Sequence, residues 1–283
     1  MKPLSHLDIL ESKSIYIIRE VKNKFKNPAV LVSWGKDSVV LLSLIKKAFF
    51  GEIPFSVIHI DTSYKFPEMY EFRNKLVKKW KINLIIAKNE EALKKGTSPE
   101  TCNKFDCCNL LKTQALKQCI KKHKFDVILA GIRRDEHGIR NKEHYFSPRD
   151  KQFQWKTAVK NEQGDSGLKS LQDPEFSGWD LYADYFGEEV NHVRCHPLLH
   201  WTEEDVWAYV EKEKIEVNPL YFSKNGKRYR SLGCQRCTEP ICSEAKTIPE
   251  MIKEIKKSKE GERAGRSLDK ENLMEKLRAL GYM

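Results

Sequence analysis

The chain has 283 residues, and its 51 lysine and arginine residues against 40 aspartate and glutamate residues give a formal net charge of +11. Hydrophobic residues make up 40% and charged residues 32% of the sequence, which fits a folded protein and excludes collagen-like, mucin-like and wholly disordered chains. No apolar run approaches the roughly 20 residues that span a bilayer, and the polar start MKPLSHLDIL lacks the apolar region of a signal peptide, so we expect a cytoplasmic protein without a membrane segment.

The excess positive charge is spread along the chain and fits an anionic partner such as a nucleic acid, a nucleotide or phosphate. A solvated lysine-rich surface would give the same composition. In a reducing cytoplasm, the eight cysteines are expected to serve a metal site or catalysis rather than disulfides.

Predicted strands and helices alternate along the first half of the chain. Ser5 and Asp8 cap an opening helix. Apolar runs then predict strands at 29–32, 55–60, 84–87 and 127–130, and helical spacing predicts helices at 39–50, 67–80 and 110–123. This alternation predicts an α/β fold with a doubly wound, mainly parallel sheet, whose ligand lies at the carboxyl ends of the strands.

Two domains are expected, at 1–200 and 201–283. Residues 151–189 form a polar stretch that we interpret as an insertion in the first domain. The second domain is a helical or irregular extension, which starts with a helix capped at Thr202 and ends in a charged tail.

The first chemical motif is the sequence SWGKDS at residues 33–38, between a predicted strand and a predicted helix. Backbone N–H groups and the positive end of the helix dipole can hold a polyphosphate at such a loop, and Lys36 adds a charge. The loop matches neither GxxxxGK[ST] nor GxGxxG. On physical grounds alone, an ordinary strand–helix turn fits it equally well.

This loop resembles the SGGKDS pyrophosphate loop of the PP-loop ATP pyrophosphatases. Within that family it is similar to the sulfate-assimilation branch, which holds the 3′-phosphoadenylylsulfate (PAPS) reductases and the small subunit of sulfate adenylyltransferase. Trp34 departs from the family pattern, which usually has glycine there. The similarity extends over nearly the whole chain, through 59–62, 65–68, 131–136, 147–150, 197–198, 201–203 and 262–266.

The resemblance implies an adenine nucleotide alpha hydrolase-like fold and an enzyme that splits ATP between its α and β phosphates, transfers AMP to an oxyanion and releases pyrophosphate with the help of Mg²⁺. It implies catalytic roles for Lys36, Asp61, Arg133 and Arg134. Without the resemblance, Asp61 would be interpreted as a helix cap, and Arg133 and Arg134 as a surface salt-bridge cluster. The implied nucleotide-binding residues are Ser33, Trp34, Gly35, Lys36, Asp37, Ser38, Asp61, Gly131 and Arg149.

The second motif pairs Cys107 and Cys108 with the C-x-x-C of Cys234 and Cys237. Four thiolates brought together could hold a 4Fe-4S cluster or Zn²⁺, and the arrangement is similar to the cluster ligands of adenylylsulfate reductases. We expect a 4Fe-4S cluster, with zinc or simple buried thiols as the alternatives.

Several functions compete at this point. A reductase needs a mobile cysteine near the carboxyl terminus, yet the last cysteine is Cys242. Sulfate adenylylation, with a GTPase large subunit as partner, leaves the four cysteines without a role in the reaction. DNA backbone phosphorothioation, with DNA and a cysteine desulfurase as partners, uses the loop, the cysteines and the positive charge, and is the preferred hypothesis. A nucleotide-binding subunit without activity, with Trp34 as the sign of decay, is the remaining one.

Overall fold

The computed structural model describes residues 3–138, 140, 143–154, 190–258, 261–263, 275–277 and 279–281. Its central sheet has six strands in the order β3-β2-β1-β4-β6-β5, and only β5 runs antiparallel to its neighbour. The strands are β1 (Pro28–Leu31), β2 (Ser56–Ile60), β3 (Leu84–Ala87), β4 (Val127–Ala130), β5 (Phe146–Asp150) and β6 (Val190–Cys195). The expected mainly parallel α/β fold is therefore confirmed.

Helices follow the strands of the parallel part of the sheet. The helices are α1 (His6–Lys24), α2 (Lys36–Ala48), α3 (Pro67–Trp80), α4 (Glu90–Lys94), α5 (Lys104–Cys108), α6 (Ala115–His123), α7 (Glu203–Lys212) and α8 (Ile248–Lys257). A π-helical turn, Asn109–Gln114, joins α5 to α6. A separate two-stranded sheet pairs β7 (Lys227–Arg228) with β8 (Ile241–Cys242).

The helix starts form where the capping residues predict them. Ser5 caps α1 and Thr202 caps α7, each with an aspartate three residues later that completes a capping box. The side chain of each capping residue accepts a backbone N–H that has no partner within the helix, so these two ends are fixed by local sequence.

Two apolar clusters cover the sheet. The larger includes Val40 of α2, Ile18 of α1 and Trp207 of α7, while the smaller places Ile120 of α6 against Ile128 of β4. The larger cluster therefore joins residues from both sides of position 200. The expected boundary between 1–200 and 201–283 stays a prediction.

Strands β5 and β6 were not expected from the sequence. β6 pairs with the central strand β4, and β5 closes the edge with a register shift between Arg149 and Asp150. Of the predicted insertion at 151–189, residues 155–189 lie outside the described residues, so that prediction is untested. In the part of the chain that the structure describes, no helix is both long and apolar enough to cross a membrane.

Candidate functional site

The SWGKDS loop connects the carboxyl end of β1 to the first residue of α2. The Ser38 hydroxyl donates a hydrogen bond to the Gly35 carbonyl over 2.9 Å, and the Lys36 backbone N–H donates one to the Tyr221 hydroxyl over 2.9 Å. A methyl group at Gly35 would lie 3.1 Å from that hydroxyl, so Tyr221 requires a small residue there. These contacts hold the start of α2, with its positive dipole end, at the edge of the sheet.

Trp34 has a left-handed backbone with φ of 66°. Glycine adopts this conformation without cost, which explains the glycine usual in the family pattern. The Trp34 side chain is fully buried in the larger core cluster, where its ring centroid lies 6.2 Å from that of His59. We infer that packing in the core offsets the strain. The tryptophan side chain therefore points away from the loop's binding side and does not obstruct it.

A cavity of about 200 Å³ opens at the carboxyl edge of the sheet beside this loop, and we call it the edge cavity. Five loop residues line it: Ser33, Gly35, Lys36, Asp37 and Ser38. Its apolar wall comes from the strand ends and α6, with Leu31, Ile60, Leu116, Ala130 and Ile132. A polar, cationic end joined to an apolar wall suits a ligand that has both phosphates and a flat base.

The two buried cations of the loop region are matched by carboxylates. The Lys36 ammonium pairs with Glu262 and lies 3.3 Å from a carboxylate oxygen of Asp37. Arg133 pairs with Glu262, with Asp135 and, over 2.7 Å, with Asp37. Glu262 therefore joins two of the cations to which the resemblance assigned catalytic roles.

The electrostatics follow from this pairing. Burial disfavours the charge on Lys36, but the Asp37 and Glu262 carboxylates outweigh burial and raise its pKa. Burial likewise opposes ionisation of Asp37, yet Lys36 and Arg133 lower the pKa of this carboxyl to about 2. Lys36 and Asp37 are therefore both charged at neutral pH.

Asp135 behaves differently. Burial raises the pKa of its carboxyl to about 6, although Arg133 and the backbone N–H of Glu203 act in the opposite direction. Beside it, Glu136 pairs with Arg140 and with Arg263. The carboxylates around the loop thus bind the arginines into one network.

The other predicted site residues fall into two groups. Gly131 lines the edge cavity, and a methyl group there would lie 3.0 Å from the Asp37 carbonyl oxygen, so only glycine lets β4 approach the start of α2. The side chains of Trp34, Asp61, Arg133, Arg134 and Arg149 are not part of the cavity wall, although Arg133 contacts two residues that are.

Asp61, Arg134 and Arg149 each have protein partners instead. The Asp61 carboxylate accepts hydrogen bonds from the Tyr70 hydroxyl over 2.7 Å and the Ser63 backbone over 2.8 Å, and it pairs with Lys88. Arg134 bonds to His200, and Arg149 donates to Glu143. In this conformation they support the edge of the sheet rather than face the cavity.

Sequence reasoning missed several residues of the cavity wall. Tyr221 and Lys112 carry no motif, and Glu136 and Glu262 were only part of segments that resemble the family. Arg194 lies on a strand that was not predicted. The signal that could have found Glu262 is its place at the start of the ERAGR segment, residues 262–266, which resembles the family.

The four predicted metal-ligating cysteines meet at a second, smaller cavity of about 10 Å³, the cysteine cavity. Cys107 and Cys108 end α5, while the backbone N–H of Gln235 donates to the Tyr64 carbonyl over 2.8 Å and so ties the C-x-x-C turn to the segment after β2. The Thr62 hydroxyl lies 3.2 Å from the Cys234 sulfur. Tertiary structure thus brings together two motifs that are far apart in the sequence.

The thiols of this cavity are buried, and the thiol of Cys107 is unfavourable to ionise. Burial, reinforced by the neighbouring cysteines, raises the pKa of Cys107 to about 12. Among the described residues, no group of three or more histidine, cysteine, aspartate or glutamate side chains has an arrangement that could hold a metal ion. The four cysteines are therefore neighbours without ligating geometry.

The strand–loop–helix at the sheet edge, the matched cations and the apolar wall define an α/β protein of the PP-loop class. Residues 27–240 match the phosphoadenosine phosphosulfate reductase domain family. The chain belongs to this family of PP-loop ATP pyrophosphatases.

Curated relatives match over the whole chain. Sulfate adenylyltransferase subunit 2 of Marinomonas sp. (strain MWYL1) is 39% identical over 99% of this chain and 98% of its own length. The protein of the same description from Aliivibrio fischeri (strain MJ11) is 36% identical and covers 99% of each chain.

Solved structures agree on the fold. The PAPS reductase of Candida auris superposes with a TM-score of 0.53 at 21% identity, over 84% of this chain and 99% of its own. FMN adenylyltransferase of Candida glabrata, in complex with ATP, gives a TM-score of 0.56 at 16% identity, over 85% and 67%.

These comparisons bear on the competing functions. They favour the sulfate adenylyltransferase alternative over the preferred DNA phosphorothioation hypothesis, for which they give no support. DNA and a cysteine desulfurase are likewise unsupported as partners.

Proposed function

We propose that the chain is the ATP-cleaving small subunit of a sulfate adenylyltransferase. A sulfate oxygen would form a bond to the α phosphorus of ATP, while the bond from that phosphorus to the oxygen bridging to the β phosphate breaks. The products are adenylylsulfate and pyrophosphate. The observation that carries this proposal is the 36–39% identity to sulfate adenylyltransferase subunit 2 over 99% of the chain.

The edge cavity supports this reaction chemically. Ser38 and Lys36 line the cavity at the start of α2, and we assign them to the departing pyrophosphate, because fixed donors beside a group that gains charge stabilise the transition state. Leu31, Ile60 and Ala130 offer the apolar wall for adenine. Mg²⁺ bound to ATP would supply further charge neutralisation.

Arg133 acts through the loop in this proposal. It contacts Asp37 and Glu262 rather than the open cavity, so we assign it to positioning Lys36 and the start of α2. Asp61, Arg134 and Arg149 support the sheet edge in the same indirect way. The catalytic contact of this set is Lys36.

The partner in this proposal is a large GTPase subunit, because the relatives are named as the second subunit of their enzyme. The test measures pyrophosphate release from ATP and Mg²⁺, with and without sulfate, in the presence of a sulfate adenylyltransferase GTPase subunit. Sulfate-dependent release supports the proposal. Pyrophosphate release that does not depend on sulfate but requires DNA contradicts the proposal, and so does the absence of any release.

We also propose that Cys107, Cys108, Cys234 and Cys237 hold a soft metal centre, with Zn²⁺ and a 4Fe-4S cluster as its two possible forms. Four thiols around one cavity are the donor set that both require. A bound cation would also favour the thiolates, which burial now disfavours. The cavity has room for about one water-sized sphere, so a single zinc ion needs less movement of its walls than a cluster.

Metal analysis of anaerobically purified protein tests this second proposal. Stoichiometric zinc without iron identifies the zinc form, whereas iron with acid-labile sulfide identifies the cluster. Protein that contains neither metal, and does not take up either on reconstitution, contradicts the proposal without affecting sulfate adenylylation.

A further inference from the structure

Arg194 is a buried cation in the wall of the edge cavity, on a different strand from the loop. It is only 1% exposed, and it lies on β6. Its Cα pairs with Ile128 of β4, which in turn pairs with Ala29 of β1. Two strand spacings of ~4.8 Å therefore separate its backbone from β1, so Arg194 belongs to a different part of the cavity from Lys36.

Among the residues that the structure describes, the guanidinium of Arg194 bonds to a neutral histidine and forms no ion pair. Its Nε donates to Nε2 of His192 over 2.9 Å, and burial, followed by the nearby arginines, lowers the pKa of that histidine to about 2. Across the described residues, its two terminal nitrogens have neither a hydrogen bond nor an ion pair. They are nevertheless not sealed in the protein, because the residue lines the cavity.

The carboxylate that could neutralise Arg194 is already engaged. Glu143 accepts hydrogen bonds from Nη2 of Arg149 over 3.2 and 3.3 Å. Burial, together with Arg149, lowers the pKa of Arg194 to about 9 despite the attraction of Glu143. Among these three groups, two cations therefore share one carboxylate.

Arg133 differs from Arg194 in its ion pairs. It is equally buried, but it pairs with Asp37, Asp135 and Glu262, and its pKa is raised rather than lowered. A buried charge without a partner opposes folding, whereas one that faces a ligand site is neutralised when an anion binds. The free fork of Arg194 suits two oxygens of one anion.

We propose that Arg194 forms a second anion subsite in the edge cavity, separate from the SWGKDS loop, and that it binds a tetrahedral oxyanion through its two terminal nitrogens. This inference rests on the proposed function, because sulfate adenylylation brings a triphosphate and a second oxyanion into one cavity. The oxyanion is either the free acceptor or a phosphate of the nucleotide, and the experiment separates these sources.

The test compares full-length wild-type protein with R194M and R194K, using sodium sulfate as the probe. Sulfate also stabilises proteins by general exclusion from their surface, so every melting curve is recorded at matched ionic strength and compared with chloride. The wild type is expected to show a saturable rise in melting temperature with sulfate. R194M should lose this saturable part, and R194K, which keeps the charge without the fork, should retain only a fraction of it.

A matched control distinguishes a subsite from a structural arginine. R149M removes the guanidinium that donates two hydrogen bonds to the buried Glu143 carboxylate, and it should lower the melting temperature without any ligand. R194M removes an unneutralised charge, so its melting temperature without sulfate should equal or exceed that of the wild type. The proposal is overturned if R194M is destabilised as much as R149M, or if it keeps the saturable sulfate effect.

Calorimetric titration with a non-hydrolysable α,β-methylene analogue of ATP then identifies the source. Unchanged affinity of R194M for the analogue, with the sulfate effect lost, assigns the subsite to the free acceptor. A loss of tenfold or more in analogue affinity assigns it to a nucleotide phosphate. Neither readout needs turnover, so an inactive enzyme that still shows Arg194-dependent anion binding would refute the proposed function and leave this subsite standing.

Discussion

The edge cavity and the cysteine cavity share a wall residue, Lys112, yet their polar groups are arranged in opposite ways. At the loop end of the edge cavity, Lys36 and Arg133 already face Asp37 and Glu262, so these charges are balanced before any ligand arrives. The cysteine cavity collects four thiols in its wall. The first region pairs its cations with internal carboxylates, whereas we have proposed that the second binds a metal cation.

Lys112 makes the two cavities neighbours rather than independent sites. It is buried and lies in the π-helical turn that follows Cys108. Burial raises the pKa of Cys107, and the charge of Lys112 acts in the opposite direction. A π-helical turn inside a helix is often associated with function. A change of charge at the cysteines would therefore change the electrostatic potential at the wall of the edge cavity.

The largest effect is expected for K36M. It removes the cation that faces the departing pyrophosphate in the proposed function, and loss of one such preorganised donor costs ~10²–10³-fold in turnover. Steady-state pyrophosphate release measures this loss. The control K46M, at a lysine on the same helix that lies over the Trp80 ring, should keep near wild-type activity. Equal losses in both variants would show that the helix, not the loop cation, was disturbed.

The second prediction concerns E262Q. It leaves Lys36 and Arg133 short of a buried counter-charge, so the free energy of unfolding of the ligand-free protein should fall by about 3 kcal/mol. Pyrophosphate should restore most of this loss, since its oxygens can replace the carboxylate. Urea unfolding with and without pyrophosphate provides the measurement.

E239Q is the matched control for this variant, because it removes one exposed negative charge. It should change stability by less than about 0.5 kcal/mol. If E262Q proves as neutral as E239Q, then the tail carboxylate does not balance the loop cations.

The third prediction concerns the cysteine cavity. Replacing Cys234 and Cys237 by serine should abolish metal binding and remove the metal-dependent stabilisation, which is about 2.7 kcal/mol at a free metal concentration one hundred times Kd. Chelator titration followed by melting curves checks this. C119S, at a buried cysteine of the smaller core cluster, should retain the metal response.

The smallest effect is a pH dependence at His59. Its Nδ1 lies 3.1 Å from the Val32 carbonyl just before the loop, and burial, with Lys65 next, lowers its pKa to about 4. The folded protein keeps this ring neutral while the unfolded chain binds a proton below about pH 6.5, so stability is complete above that pH and falls as pH approaches 4.

Between pH 6.5 and 5 this histidine accounts for a loss of about 2 kcal/mol. Urea unfolding across this range should show a smaller slope for H59Q than for the wild type. An unchanged slope would mean that His59 does not contribute to the acid sensitivity of the loop region.

Local sequence determines the parts of the site that are continuous in the chain. The runs 67–80, 84–87 and 127–130 appear as α3, β3 and β4 with the predicted bounds, and the SWGKDS loop lies where the strand–helix pattern puts it. These features depend on caps, apolar periodicity and turn residues that act over a few positions. Asp61 was predicted at the end of a strand, correctly, but its carboxylate turns to Tyr70 instead of the cavity.

The missed features depend on contacts between distant segments. The apolar pattern of β5 is interrupted by the proline and charges of FSPRD, and β6 pairs with β4 although its first residue, Val190, lies 60 positions after Ala130. The partnership of Glu262 with Lys36 and the exposure of Arg194 to the cavity arise only after the sheet has formed. The periodicity of a sequence does not show which buried charge forms no ion pair, so this part of the site could not be predicted from the sequence.

The central claim is that this chain joins AMP from ATP to sulfate, and product identification tests it most directly. Purified chain with its GTPase subunit, ATP, Mg²⁺ and radiolabelled sulfate should form labelled adenylylsulfate in equal amount to pyrophosphate. The K36M variant should form neither product above background. Pyrophosphate without labelled adenylylsulfate, at saturating sulfate and with the partner present, would contradict the account.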